Sequence, residues 1–232
     1  MNLEKMFEMQ KALDDRIIKE KGLEGQDLLP NLILALQVEL AECANEWRGF
    51  KFWSNNQQPR TKLLTTARAT SENASFFRCD NEECKKHLKK DDFKNLFEPD
   101  YEECPICKAD SVTAFREANP LLEEYVDCLH FILSIGNRIG YSNKNTKKLE
   151  EGTLRSNLDF VDKVEVFSDV FEAVAMVNED ISLSRLGPKA SYAILFRRFN
   201  SLGEMLGFTP EQIEAAYMEK NAVNHQRQQE GY

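Results

Sequence analysis

"ALQVELAECANEWRGFKFWS", residues 35–54, sets Glu39, Glu42 and Glu46 among apolar and small residues. Spacings of three and four put all three carboxylates on one side of a helix. Val38, Leu40, Ala41, Cys43 and Ala44 surround them, so few cations are near enough to offset the repulsion. Like charges one turn apart destabilise a helix by about 0.2–0.5 kcal/mol per pair. A solvated helix flank would leave that cost without a reason. A second acidic set stands on "LLEEYVDCLHF", residues 121–131, where Glu124 and Asp127 are three apart and His130 lies one turn further. Two helices that face one another with these carboxylates form an oxygen-rich site for a hard divalent cation, which removes the repulsion.

The rest of the chain reads as helix around these two segments. Residues 3–20 place Leu3, Met6, Phe7, Gln10, Leu13 and Ile17 on one face. Pro30 sits near the start of the second helix, which runs to about Trp47 over a stripe of Leu29, Ile33, Leu36 and Leu40. Helical patterning resumes at Pro120 and continues to about Gly140; further helices are expected at 163–184 and 188–206, broken by "LGP". The last starts at "GFTPEQ", where Thr209 caps, Pro210 takes the first turn and Gln212 completes a capping box. Residues 55–78 and "YSNKNTKKLEEG" (141–152) read as loops. The expected architecture is an all-α helical bundle, residues 1–57 and 112–232, with a small module inserted at 76–111.

The bulk numbers exclude several classes. The 232 residues are 42% hydrophobic, enough for a sizeable core. There is no apolar run of about 18 residues for a membrane span, and "MNLEKMFEMQKALDDR" lacks the apolar centre of a signal peptide. A soluble, cytoplasmic protein is expected. A net charge of −9 opposes general nucleic-acid binding, which draws on basic surface. It does not oppose a nucleotide held through a divalent cation. No GxxxxGK[ST] loop is present, which argues against a kinase or motor ATPase.

Four of the six cysteines cluster: Cys79, Cys84, Cys104 and Cys107, in "CDNEEC" and "CPIC". Two pairs so spaced suit a tetrahedral Zn2+ site with four thiolates, with His87 as an alternative to Cys84. Acidic residues outnumber basic ones over 78–108, so the module has no net basic face for DNA. A structural Zn2+ that staples a small core is the expectation, and the module is a candidate surface for a protein partner.

"VELAE" followed by "EEYVD" resembles the ExxE…ExxD signature of the all-α nucleoside triphosphate pyrophosphohydrolases, and within them the dimeric dUTPases. The resemblance extends through "MQKALDDRI", "LLPNLILALQVELAECANEWRGFKFWS", "LEEYVDCLHFILSIG" and the tail "YMEKNAVNHQRQQEGY". It implies a helical homodimer that hydrolyses dUTP to dUMP and pyrophosphate with Mg2+. Carried onto this chain, Glu39, Glu42, Glu124 and Asp127 match the metal-binding carboxylates. Glu39 would also orient or deprotonate the attacking water, and Glu46 extends the same flank. Gln10, Trp53, His130 and Asn221 match the base pocket, while Asp14 shares a face with Gln10 and could make only a surface pair. Trp47 reads as core. Lys220, Asn224 and Arg227 form one polar stripe on the last helix, suited to the β- and γ-phosphates, with Lys51 a further candidate. Apolar faces at 129–140 and 163–206 are candidates for the dimer contact.

Two other functions stay open at this point. One is a related pyrophosphohydrolase for dCTP or a broader nucleotide set, since carboxylates do not read the base. The other is a zinc-containing helical adaptor, which would leave both carboxylate sets unexplained.

Overall fold

A computed structural model describes residues 1–93, 103–141, 162–183 and 187–231. The loop expected at 141–152 lies almost wholly outside them. Residues 1–59 with 121–232 form one compact unit and residues 60–120 a second.

The first unit holds six helices among the described residues: α1 Leu3–Glu20, α2 Leu29–Trp47, α3 Pro120–Arg138, α4 Lys163–Ser182, α5 Pro188–Met205 and α6 Pro210–Gln229. The terminal signals act as expected. Asn2 caps α1 by accepting from the Lys5 backbone, and Thr209 and Gln212 form the reciprocal capping box of α6. Helix α2 ends where Arg48 turns left-handed, at φ 65°. Gly49 follows because an added Cβ would strike the Trp47 ring, 2.3 Å away.

Helix α3 is the most enclosed, with eleven buried residues from Leu121 to Gly136. Gly136 lets α1 and α5 close on it: a Cβ there would meet the Tyr192 hydroxyl at 2.4 Å and the Phe7 ring at 2.8 Å. The Tyr192 hydroxyl instead donates to the Ile132 carbonyl at 3.0 Å. Leu129, Ile132, Leu133 and Ile135 are buried in the chain's own core. Exposed apolar side chains stand on α2, at Leu34 and Val38, and beyond it at Phe52 and Trp53. Helices α1 and α6 run against each other: Tyr217 donates to the Met6 carbonyl, and Arg16 donates to the His225 carbonyl, both at 3.1 Å.

The second unit is a four-stranded antiparallel sheet in the order β1-β4-β2-β3: Leu63–Thr65, Val112–Ala118, Phe76–Cys79 and His87–Leu88. Phe77 pairs with Ala114 on one side and Leu88 on the other. These three, with Ala74, Cys79 and Cys104, make a small separate core. Two strands stand outside the stretch where the sequence suggested any. Leu63–Thr65 falls in the expected loop, and Val112–Ala118 falls in residues read as bundle. Strand β4 escapes a hydrophobic-alternation reading because its buried face is Ala114, Arg116 and Ala118. Arg116 is tolerated there since its Nε donates to the Ala67 carbonyl at 2.8 Å.

Candidate active site

Helix periodicity aims Glu39 and Glu42 of α2 and Glu124 of α3 at one point. One oxygen from each lies within 4.8 Å of the others. Burial pushes the Glu39 carboxyl up to about 7, with the charges of Asp127 and Glu42 adding to the effect and Lys220 opposing it. Glu124 is pushed up to about 7 by burial and then by Asp127, Glu39 and Glu42. Glu39 and Glu124 therefore hold their protons more tightly than ordinary carboxylates do. Mg2+ takes oxygens at about 2.0–2.1 Å, which stand about 3–4 Å apart, so modest side-chain rotation suits this donor set to such an ion. Asp127, one turn along α3, is engaged by the Lys220 ammonium from α6.

A cavity of about 370 Å³ opens beside Glu39 and Asp127, lined from α1, α2, α3 and α6. Lys220, Asn224 and Arg227 supply its donors from α6, as their spacing suggested, while Leu13, Ile17 and Phe131 give it apolar wall. Gln10 and His130 are both buried and both line it. Gln10 Nε2 donates to Asp14 Oδ1 at 2.8 Å and to Ser134 Oγ at 3.0 Å. Its Oε1 lies 2.6 Å from His130 Nδ1 and accepts from the Tyr217 hydroxyl at 3.1 Å. The His130 ring stacks on Tyr217, centroids 4.3 Å apart. Burial, and then Lys220, drive the His130 pKa down to about 3, so the ring is neutral. Asn221 is buried one turn beyond Tyr217.

The structure does not bring every expected residue to this cavity. Trp53 is 65% exposed and meets Phe50 and Phe52 edge-on. Lys51 lies over the Phe50 ring and donates to the Asn45 carbonyl. Both follow the left-handed turn at Arg48, and neither lines the cavity. Trp47 is core, stacked on Phe167. Conversely, Asp14 is more than a surface pair: it lines the cavity, and burial raises its pKa to about 6. Ser134 and Tyr217 were missed by sequence reasoning. Ser134 lies one turn after His130 and Tyr217 one turn before Asn221, a helical echo that a polar-face count could have found.

In the second unit the four thiols of Cys79, Cys84, Cys104 and Cys107 lie within 4.8 Å of one another. Cys79 and Cys107 sulfurs are 3.6 Å apart, and those of Cys84 and Cys104 3.9 Å. A tetrahedron of sulfurs about 2.3 Å from a central metal has edges of about 3.8 Å; a disulfide would be about 2.05 Å. Burial raises the Cys79 thiol to about 12. At Cys104 burial is outweighed by the Cys107 and Ile106 backbone N–H groups, and the thiol falls to about 7. His87 stacks on Phe76 and does not join the cluster.

No described helix is long and apolar enough to cross a membrane. No curated protein matches the chain. A family model described as dUTPase matches residues 2–66 and 111–232, passing over the stretch that carries the four cysteines. With its helical bundle and facing acidic helices, the chain therefore belongs to the all-α dimeric dUTPase family, whose members hydrolyse dUTP to dUMP and pyrophosphate.

Proposed function

We propose that Glu39, Glu42, Glu124 and Asp127 hold catalytic Mg2+ for the hydrolysis of dUTP in the adjoining cavity. The carrying observation is the convergence of Glu39, Glu42 and Glu124 beside a cavity with cationic and base-reading groups. Mg2+ offsets phosphate charge and fixes an in-line geometry, which supplies most of what this chemistry needs. Glu39, which lines the cavity, orients the attacking water and takes its proton. Lys220, Asn224 and Arg227 take the β- and γ-phosphates, with Arg227 able to donate two parallel hydrogen bonds.

Base recognition falls to His130 and Asn221. His130 Nε2 and Asn221 Nδ2 are buried polar atoms without a hydrogen-bond partner among the described residues. An acceptor and a donor together complement uracil's N3–H and a neighbouring carbonyl. Asn221, although outside the cavity lining, stands between the lining residues Lys220 and Asn224 on α6, whereas Lys51 and Trp53 lie beyond α2 and take no part in this reading.

The same reading assigns one structural Zn2+ to Cys79, Cys84, Cys104 and Cys107, which the sulfur spacings support. It also makes the enzyme a cytoplasmic homodimer, with the exposed Leu34 and Val38 of α2 as the apolar contact. The deciding experiment is an assay of pyrophosphate release from each deoxynucleoside triphosphate, with and without Mg2+. Preferred, Mg2+-dependent turnover of dUTP is expected. Equal use of dUTP, dCTP and dTTP would remove the pocket assignment while sparing the metal site.

A further inference from the structure

A glutamine amide has two unlike ends: the nitrogen only donates and the oxygen only accepts. At Gln10 the surroundings decide which end points where. Nε2 faces the Asp14 carboxylate at 2.8 Å and the Ser134 hydroxyl at 3.0 Å. Reversing the amide would set its oxygen against an ionised carboxylate, lone pair against lone pair. The oxygen therefore faces the other way, 2.6 Å from His130 Nδ1. A carbonyl oxygen has no proton to give, so the hydrogen between them sits on Nδ1. His130 is neutral and carries one N–H. Its other nitrogen, Nε2, must then be a bare acceptor, and it is buried without a hydrogen-bond partner among the described residues.

We propose that Gln10 is a positioning residue that locks His130 in its Nδ1–H tautomer, so that the Nε2 lone pair selects uracil over cytosine. This rests on the reading of the cavity as the base pocket. Uracil carries a proton at N3 and can donate to Nε2; cytosine carries a lone pair there and cannot. The opposite tautomer would reverse the preference. Gln10 spends both N–H groups on Asp14 and Ser134 and its oxygen on His130, with the Tyr217 hydroxyl, whose single proton is shared with the Met6 carbonyl, also 3.1 Å from that oxygen. It acts on the base at one remove, through the proton it places on the ring.

The tautomer is measurable without substrate. The chain has three histidines, so nitrogen-15 labelling of the imidazoles and long-range nitrogen–proton correlation resolve each ring in the full-length protein. At pH 7 His130 should show a protonated Nδ1 and a lone-pair Nε2. Gln10→Met should give mixed tautomers and lower the dUTP-to-dCTP ratio of kcat/KM by about tenfold or more. A protonated Nε2 in the unmodified protein overturns the proposal, and this arm stands even if Gln10→Met fails to fold. A folded Gln10→Met protein with unchanged tautomer and unchanged ratio overturns it as well. The expected tautomer combined with preference for another base would refute the substrate reading and leave the lock standing.

Discussion

The Lys220 ammonium on α6 donates to the Asp127 carboxylate on α3, ninety-three residues away in sequence and at the edge of the acidic cluster. A side chain of the protein thus neutralises one member of the set proposed to hold Mg2+. Both partners are mostly buried, at 14% and 16% exposure. Lys220→Met should therefore destabilise the metal-free protein, by about 1–3 kcal/mol for the loss of a largely buried, charge-assisted hydrogen bond. Mg2+ should then raise the melting temperature more in the variant than in the unmodified protein, because the ion takes over the neutralisation. Equal Mg2+ shifts in scanning fluorimetry would separate Lys220 from the cation site.

The acids themselves divide stability from activity. Glu39→Gln and Glu124→Gln each remove a charged ligand, so turnover of dUTP should fall by orders of magnitude. Each also removes like-charge repulsion within the cluster. The metal-free variants should melt no lower than the unmodified protein. Near-normal turnover in both would make these ordinary surface acids.

The clustering of Glu39, Glu42 and Glu124 was readable before any fold was known, since i and i+3 spacing on a helix dictates a shared face. The four thiols were readable for a similar reason: paired spacing in two short turns leaves few other chemistries. Asp14 was not readable. Its burial depends on α3, and its partner Ser134 is 120 residues away. Trp53 stands on the exposed segment after the left-handed turn at Arg48, which leaves no periodic trace from which its surroundings could be read. The Val112–Ala118 strand was hidden by a buried face of alanine and arginine, residues that a hydrophobic pattern discounts.

Assembly is tested on α2. Leu34 and Val38, four apart, are 62% and 49% exposed, an apolar stripe on a helix whose other side is core. The double substitution Leu34→Glu with Val38→Glu should leave helix content unchanged by circular dichroism. It should reduce the light-scattering mass from that of two chains to that of one. A variant that stays dimeric would move the interface elsewhere.

The cysteine cluster should bind one Zn2+ per chain, by elemental analysis of purified protein. Its small core of six buried residues is separate from that of the bundle. Chelation, or Cys104→Ser, should therefore lose order within residues 60–120 while Mg2+-dependent dUTP hydrolysis largely persists. Abolished activity with the helices intact would make the module part of the catalytic machinery.

The buried groups around Gln10 predict opposed pH effects. His130 falls to about 3 in the folded protein from an ordinary value of 6.5, through burial first. The unfolded chain then binds the extra proton between those values. The stability that comes from keeping His130 neutral is complete above 6.5 and is lost as pH falls toward 3. Asp14 rises from 3.8 to about 6, again through burial. Here the folded protein binds the extra proton, so the contribution is complete below 3.8 and is lost as pH rises through 6. Between 3.8 and 6 the two slopes oppose each other, and the unmodified protein should change little in melting temperature from these groups. Substitution separates them. Asp14→Asn should raise the melting temperature at pH 8, with the gain shrinking toward pH 3, below both values, where the acid is neutral in both states. His130→Gln should flatten the decline below pH 6. A melting-temperature difference for Asp14→Asn that is the same at pH 3 and pH 8 would mean that burial does not raise the Asp14 pKa.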